Sequence, residues 1–168
     1  MPEQKRLSGD RAIGFLLAQV GAYAAGRFAE RLGPLSLKPS DAGILRLLGQ
    51  SAGLSQQELA SRLRIHASAL VSILDDLETR ELVQRQDSAT DRRTYAVHLT
   101  DKGRATLADI ARISQEHNEA LCEPLSKQER EVLADLLRRI AEGQGLGMGI
   151  HPGYQRLAKR SKARQEPV

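Results

Sequence analysis

The sequence predicts a mainly α-helical protein with one small β-hairpin, an α+β arrangement within 168 residues. Apolar residues recur every three or four positions from about Gly9 to Leu32, as in a long amphipathic helix. Later in the chain, the segments LVQRQ and TYAVHL have the composition and alternation of strands. The polar stretch DSATDRR lies between them, so the two strands are expected to form a hairpin with helices before and after it.

Three helices are predicted between the first long helix and the hairpin. Pro39 suits the first turn of the earliest of them. The segment SQQE at residues 55–58 is a capping box, in which the serine hydroxyl accepts a backbone hydrogen bond and the glutamate accepts one from the serine amide. After a tight turn, apolar residues again have helical spacing between Leu70 and Leu77. Two short helices across a tight turn, followed by a hairpin, predict a winged helix-turn-helix lobe whose second helix can enter a DNA major groove.

Two long helices are predicted after the hairpin. Thr100 caps one that runs to about Cys122, and a second capping box at residues 126–129 starts the other. The last helix carries an apolar stripe that needs a partner surface, formed by Val132, Leu133, Leu136, Leu137 and Ile140. We therefore predict three regions: a helical dimerisation region at residues 9–38 and 101–142, a winged helix-turn-helix lobe at residues 39–100, and a flexible basic tail at residues 143–168.

Charge and composition limit the classes of function. Residues 1–150 carry 20 basic and 20 acidic residues, so the net charge of +4 arises from the five basic residues and one acidic residue of 151–168. Two Phe, three Tyr and no Trp disfavour nucleic-acid modules built on aromatic stacking. The four histidines lack the spacing of zinc ligands, and no nucleophile motif or glycine-rich phosphate loop is found. We expect no metal, no cofactor and no enzymatic activity.

Cysteine content and hydropathy predict the compartment. Cys122 is the only cysteine, which excludes a disulfide within the chain and suits a reducing compartment. No stretch approaches the roughly 18 uninterrupted apolar residues of a membrane helix. The first ten residues lack the apolar segment of a secretion signal. We expect a soluble, cytoplasmic protein with no membrane partner, in which Cys122 is a plain helical cysteine rather than a redox sensor.

Two consecutive segments identify a family. LASRLRIHASALVSILDDLETRELVQR, followed by DRRTYAVHLTDKG, resembles the MarR family of bacterial winged-helix transcriptional regulators. The most specific part is the DRR…V.LT..G pattern at residues 91–103. The resemblance implies a homodimer whose two winged-helix lobes bind a pseudo-palindromic site on double-stranded DNA. It also implies a repressor controlled by a small effector, often phenolic or aromatic, or by oxidation.

Asp91, Arg92 and Arg93 form the charged tip of the predicted hairpin. An arginine gains most in the narrow minor groove, where negative potential is concentrated, and Arg93 is our candidate for that contact. Asp91 is close enough in sequence to hold the guanidinium in one orientation. The family pattern gives Asp91 and Arg93 these roles, whereas Arg92 is expected to meet a phosphate or face solvent. The alternative is a solvated turn with a weak surface ion pair.

The recognition helix is predicted at residues 67–80. Helical spacing directs His66, Ser68, Ala69 and Ser72 outward, where the serines could donate to base edges and the alanine could touch a thymine methyl. Val71 and Ser72 stand where the family often has threonine and arginine, so the centre of this helix lacks a basic side chain. Either specificity depends on shape, small contacts and the hairpin, with Arg64 among the phosphate contacts, or DNA affinity is modest.

Other positions carry weaker predictions. Glu81 stands where the family usually has glycine, so a left-handed backbone there would be strained. The resemblance places a ligand pocket between the dimerising helices and the lobe, and Tyr23, Phe28 and Arg46 could bind an aromatic carboxylate there, although Tyr23 could equally be ordinary core. The tail is either a solvated terminus, a source of phosphate contacts or a segment that folds on a partner.

A protein-interaction module is the alternative to a DNA-binding regulator. Residues 54–104, which include the helix-turn-helix and the hairpin, carry eight basic and eight acidic residues. A neutral surface of this kind lacks the basic excess that marks many DNA-binding domains. The same winged-helix surface, or the tail, could therefore hold a protein partner with little or no DNA binding.

Overall fold

The computed structural model describes residues 9–51, 53–87, 95–146 and Tyr154. The predicted fold class is confirmed, because these residues form a mainly helical protein with a small antiparallel sheet. The elements follow in the order α1 (Gly9–Leu32), a 3-10 turn (Gly33–Leu35), α2 (Pro39–Gln50), β1 (Leu54–Ser55), α3 (Gln56–Leu63), α4 (Ala67–Thr79), β2 (Val83–Asp87), β3 (Tyr95–Leu99), α5 (Asp101–Leu121) and α6 (Lys127–Gly143).

The sheet has three strands in the order β1-β3-β2. The predicted pairing of β2 with β3 is confirmed, with Val83 opposite Leu99 and Asp87 opposite Tyr95. Strand β1 was not expected, because two residues are too short to show an alternating pattern. Its pairing of Leu54 with Val97 attaches the start of the helix-turn-helix to the hairpin.

Local capping starts three of the helices as the sequence predicts. Ser55 and Ser126 each accept a hydrogen bond from the backbone amide three residues later, and the glutamates at those positions accept one in return. The Thr100 hydroxyl likewise accepts from the amide of Gly103 at 2.9 Å and begins α5. Since these bonds satisfy amides that have no partner within the helix, each helix has a defined first residue.

The hydrophobic core lies in the winged-helix lobe. The largest fully buried side chains come from the end of α1, from α2, α3 and α4, from the sheet and from one residue beyond α6: Leu32, Ile44, Leu45, Leu59, Leu70, Leu74, Leu77, Val83, Val97 and Tyr154. Ile110 and Ile113 of α5 close this core on one side. By contrast, α6 has no buried side chain, and in the described part of α1 only Ala12 and Leu32 are buried.

The turn after α4 joins three elements of the lobe. It is a Schellman motif, in which the amide of Leu82 donates to Leu77 O and the amide of Glu81 donates to Glu78 O, both at 2.9 Å. Glu81 has φ of +59°, so the left-handed backbone expected from the family's glycine is present here with a side chain. The Thr100 hydroxyl donates to Glu81 O at 2.5 Å, and the Thr100 amide donates to Leu82 O at 3.2 Å.

Tyr154 corrects the prediction of a flexible tail at one position. Its side chain is 1% exposed and belongs to the hydrophobic core, because burying an aromatic ring removes a large apolar area from water. The expectation of a solvated terminus therefore does not hold at Tyr154. Gly143 ends α6 and residues 144–146 form the turn that follows, whereas the rest of the tail lies outside the described residues and its role stays a prediction.

The strain at Glu81 predicts a stabilising substitution. Glu81→Gly should raise the free energy of unfolding by about 1 kcal/mol, because glycine adopts a left-handed backbone without steric cost. The measurement is urea unfolding followed by circular dichroism. Glu81→Ala is the matched control, since it also removes the exposed ion pair with Lys102 but keeps the strained Cβ. Equal stabilisation by both substitutions would attribute the effect to charge instead.

Candidate nucleic-acid interface

The first half of α4 presents the predicted recognition residues. His66 is the N-cap of α4, and its side chain is exposed together with those of Ser68 and Ser72. Ala69 is half-buried, so its methyl group is less available than the helical spacing suggested. The exposed residues lie on the first two turns of α4, where short hydroxyl and imidazole groups can approach base edges.

The second half of α4 is acidic and is held by an arginine from the sheet. Arg85 of β2 donates to Asp75 Oδ1 at 2.6 Å and pairs with the carboxylate of Glu78. Its backbone amide also donates to Glu78 Oε1 at 3.0 Å. The Arg85 side chain is 18% exposed, so these are partly buried, charge-assisted hydrogen bonds.

The electrostatics of Arg85 follow from this arrangement. Burial disfavours the charged guanidinium, but the hydrogen bonds and charges of Asp75 and Glu78 outweigh it and raise the pKa of Arg85 above its ordinary value. Arg85 therefore stays charged and neutralises two carboxylates that would otherwise repel DNA phosphates. Arg80 adds a weaker contact to Asp76 at 3.4 Å and donates to Leu35 O at 3.1 Å.

Sequence reasoning did not identify Arg85. The signal was present in the acidic Asp75 and Glu78 followed by a basic residue on the first strand of the hairpin. A cross-element pair of this kind is recognised only once the register places β2 against α4, which periodicity alone does not supply.

The turn between α3 and α4 is also a Schellman motif with a non-glycine residue. Arg64 has φ of +54°, its amide donates to Ser61 O, and the amide of Ile65 donates to Ala60 O, both at 3.1 Å. The Arg64 side chain is exposed and donates to Gly145 O, just after α6, at 3.3 Å. This bond uses one of the five N–H donors of the guanidinium, so the others are available for a phosphate.

The predicted tip of the hairpin lies outside the described residues. Asp91, Arg92 and Arg93 fall between Asp87 and Tyr95, the paired residues that flank the tip. Their roles in DNA binding stay predictions. The paired ends of β2 and β3 show that the chain returns at this point, which is the topology that a wing requires.

The predicted ligand residues are only partly brought together. A small cavity of about 60 Å³ between α1 and α5 is lined by Tyr23, Arg27, Arg31, His117, Ala120 and Leu121. The ring of Phe28 lies 5.4 Å from that of His117, between ring centres. Arg46 is exposed on α2 and does not line this cavity, and its role as the cation of a ligand pocket stays a prediction.

The charges beside this cavity are those of Arg27 and Arg31. Burial lowers the pKa of His117, and the positive charges of Arg31 and Arg27 lower it further. His117 is therefore kept neutral at a site that already holds two cations. The Arg31 Nε atom is buried and has no hydrogen-bond partner among the described residues. Its N–H group is therefore free to donate a hydrogen bond to an acceptor atom of a ligand.

A larger cleft lies between α2, α5 and the sheet, and sequence reasoning did not predict it. Its volume is about 650 Å³, and its lining is mostly apolar, with polar groups from four residues. The lining residues are Leu48, Gly49, Gln84, Gln86, His98, Leu99, Arg104, Leu107, Ala108 and Ala111. No group of three His, Cys, Asp or Glu side chains within the described ranges is placed to hold a metal ion.

These features define a winged helix-turn-helix protein of the DNA-binding class. The family model for the MarR family matches residues 35–94. A curated relative, the "Putative transcriptional regulatory protein for hcr operon" of Thauera aromatica, is 32% identical over 129 residues, which cover 76% of this chain and 78% of the relative.

Solved structures show the same likeness. The transcriptional repressor CouR bound to a 23-mer DNA duplex is 34% identical, with a TM-score of 0.71 over 83% of this chain and 99% of that chain. A mutant of MarR from E. coli, complexed with operator DNA, is 26% identical, with a TM-score of 0.66 over 76% of this chain and 92% of that chain. The chain belongs to the MarR family of transcriptional regulators, and the resemblance seen in the sequence is confirmed.

The contacts of Arg85 predict its importance for DNA binding. Arg85→Ala should weaken binding about tenfold or more, because Asp75 and Glu78 would then face the DNA phosphates without a counter-charge. The measurement is fluorescence polarisation with a duplex from the promoter region beside the protein's own gene. Arg112→Ala is the matched control, because it removes an arginine that bridges two exposed carboxylates on α5. A similar loss in both variants would exclude a specific role for Arg85.

Proposed function

We propose that this DNA-binding regulator is a homodimeric repressor whose affinity for a pseudo-palindromic site is lowered by a small aromatic ligand. The observation that carries the proposal is the winged-helix lobe joined to two long helices with exposed apolar side chains. Two linked lobes would place two copies of α4 on one face of a duplex, at a spacing set by the helices between them.

Helix α6 supports a second copy of the chain as the partner. None of its side chains is buried, and its five large apolar residues are between 38% and 54% exposed: Val132, Leu133, Leu136, Leu137 and Ile140. Burial of a side chain of this size contributes about 1.5–3 kcal/mol, so an uncovered stripe is unfavourable in water. Exposed apolar stripes of this extent mark interaction surfaces.

Helix α1 also exposes large apolar side chains, among them Ile13, Phe15 and Val20. By length and mean hydropathy the segment Ala12–Leu35 could cross a membrane, with a mean hydropathy of 1.2. Leu32 at the end of α1 is fully buried in the lobe, and Arg27 and Glu30 form an ion pair nearby. A helix fixed to a folded lobe and carrying charges suits a protein interface better than a bilayer. The absence of a membrane partner stays a prediction.

The proposed DNA contacts combine α4 with the wing. His66, Ser68 and Ser72 lie on the exposed face of α4 and would read the major groove. Arg93 would enter the minor groove, oriented by Asp91, with Arg92 and Arg64 at phosphates. Ala69 would contribute only a partial apolar contact, because it is half-buried.

The proposed effector site is the cavity between α1 and α5, whose volume of about 60 Å³ would admit the carboxylate of a ligand while its aromatic ring lies at the mouth. Tyr23 offers a hydroxyl, and Arg27 and Arg31 offer cations that match a carboxylate. An aromatic carboxylate bound here would contact the helix that leads directly into the hairpin through Thr100. Coupling of ligand and DNA would then be reciprocal, since each ligand changes the affinity for the other by the same factor.

A protein-interaction module is the second candidate. It is favoured by the balance of eight basic and eight acidic residues across residues 54–104 and by the internal neutralisation of α4 by Arg85. Binding to DNA at low salt separates the two candidates. A lack of binding to the promoter region beside the gene would favour the interaction module and contradict the repressor.

The wing predicts unequal effects of its two arginines. Arg93→Ala should weaken DNA binding by about 1–3 kcal/mol, because it removes the proposed minor-groove contact, whereas Arg92→Ala should weaken it less. Polarisation titrations of both variants on one duplex provide the measurement. Circular dichroism and the molecular mass in solution are the controls for folding and assembly. Equal losses would refute the assignment of Arg93.

The apolar stripe of α6 predicts the effect of a charge at its centre. Leu136→Glu should convert the dimer to a monomer, because a carboxylate buried in an apolar interface without a partner is strongly unfavourable. Sedimentation velocity measures the mass. Arg138→Glu introduces the same side chain on the opposite face of α6 and should leave the dimer intact. Dissociation by both variants would contradict the proposed interface.

A further inference from the structure

Tyr154 is held in the lobe by a specific set of contacts. Its side chain is 1% exposed, and its hydroxyl donates a hydrogen bond to Ser40 O in the first turn of α2. Burial raises the pKa of the Tyr154 hydroxyl, and the negative charge of Asp41 raises it further. The phenol is therefore neutral, and it is the donor in the bond to Ser40.

Gly43 creates the space that the phenol occupies. A Cβ atom at this position would lie 2.5 Å from the Tyr154 hydroxyl oxygen and 3.3 Å from Cζ of the ring. The ring is buried, so it has little freedom to move away from such an atom. Glycine inside a helix is less favourable than alanine, so Gly43 lowers the intrinsic stability of α2 at the position where the ring packs.

We propose that the lobe contains a binding site for neutral, para-substituted phenols on α2, and that the chain's own Tyr154 is its tethered occupant. The groups that select the ligand are the acceptor Ser40 O, the bare backbone of Gly43 and the nearby carboxylate of Asp41. A carboxylate ligand is disfavoured here, because Asp41 would repel it. The site thus differs in charge preference from the cavity lined by Arg27 and Arg31.

The tether determines when a free phenol can bind. Because Tyr154 belongs to the same chain as its site, it meets the site at an effective concentration of about the millimolar range. Free phenols compete only above that range while Tyr154 is in place. They bind directly once it is removed. The proposal concerns the stability of the lobe and does not depend on DNA binding or on dimer formation.

Chemical rescue of Tyr154→Gly tests the proposal. The variant of the full chain should unfold roughly 10 °C below the wild type, because a large buried side chain is lost. 4-Methylphenol reproduces the tyrosine side chain from Cβ outward. At about 1–10 mM it should raise the Tm of the variant by several degrees, and the increase should level off as the site fills. The Tm of the wild type should stay unchanged. Equal shifts in both proteins, or none in either, would overturn the proposal.

Toluene is the matched probe for the hydroxyl group. It has the ring and methyl group of 4-methylphenol but no donor for Ser40 O, so it should raise the Tm of Tyr154→Gly less at equal concentration. Equal rescue by toluene would show an apolar hole without phenol recognition and would refute the proposed selectivity.

Gly43→Ala provides an independent arm. It should lower the Tm of the wild type, because the new Cβ displaces the phenol, and should raise that of Tyr154→Gly, because alanine favours the helix. A change of the same sign in both backgrounds would contradict the site.

If Tyr154→Gly does not fold, Tyr154→Phe serves instead, since it retains the ring. Gly43→Ala should then lower the Tm less than in the wild type, and an equal loss would count against the proposal.

Discussion

The backbone junction at Glu81 and Leu82 is the constraint on which the geometry of the lobe depends. One Schellman turn ends α4, and its Glu81 and Leu82 carbonyls accept the two hydrogen bonds that Thr100 donates. The Thr100 side chain in turn caps α5. Gly103 packs against the Leu82 carbonyl so closely that no Cβ fits there. Helix α4, the hairpin and α5 therefore meet at one point.

Charge is distributed so that α4 is almost neutral to an approaching duplex. Its own acids are paired with Arg85 and Arg80, which leaves small polar groups on the exposed first turns. A surface of this kind contributes little non-specific attraction, because that attraction scales with the number of phosphates that basic side chains neutralise. With α4 in the major groove, as proposed, most of the affinity would come from elements outside α4, and discrimination between sites would depend more on fit than on net charge.

Prediction from the sequence succeeded where the determinants are local. Capping at Ser55, Thr100 and Ser126 and the spacing of apolar residues depend on neighbours within one turn, so the helices and the wing topology could be read directly. Strand β1 and the docking of Tyr154 each join segments distant in sequence, and the Arg85 bridge depends on how β2 packs against α4. Arg46 does not line the cavity of Tyr23, because helical spacing gives the exposed face of α2 but not the element that packs beside it.

The burial of Tyr154 changes where the domain ends. The family match covers residues 35–94 and the last helix stops at Gly143, yet a core side chain of the lobe comes from eleven positions further along the chain. Removal of Tyr154 from the chain would take a fully buried ring out of the lobe, although it would leave α1 to α6 in place. The stability of the lobe therefore depends on a residue that lies outside the family match and beyond α6.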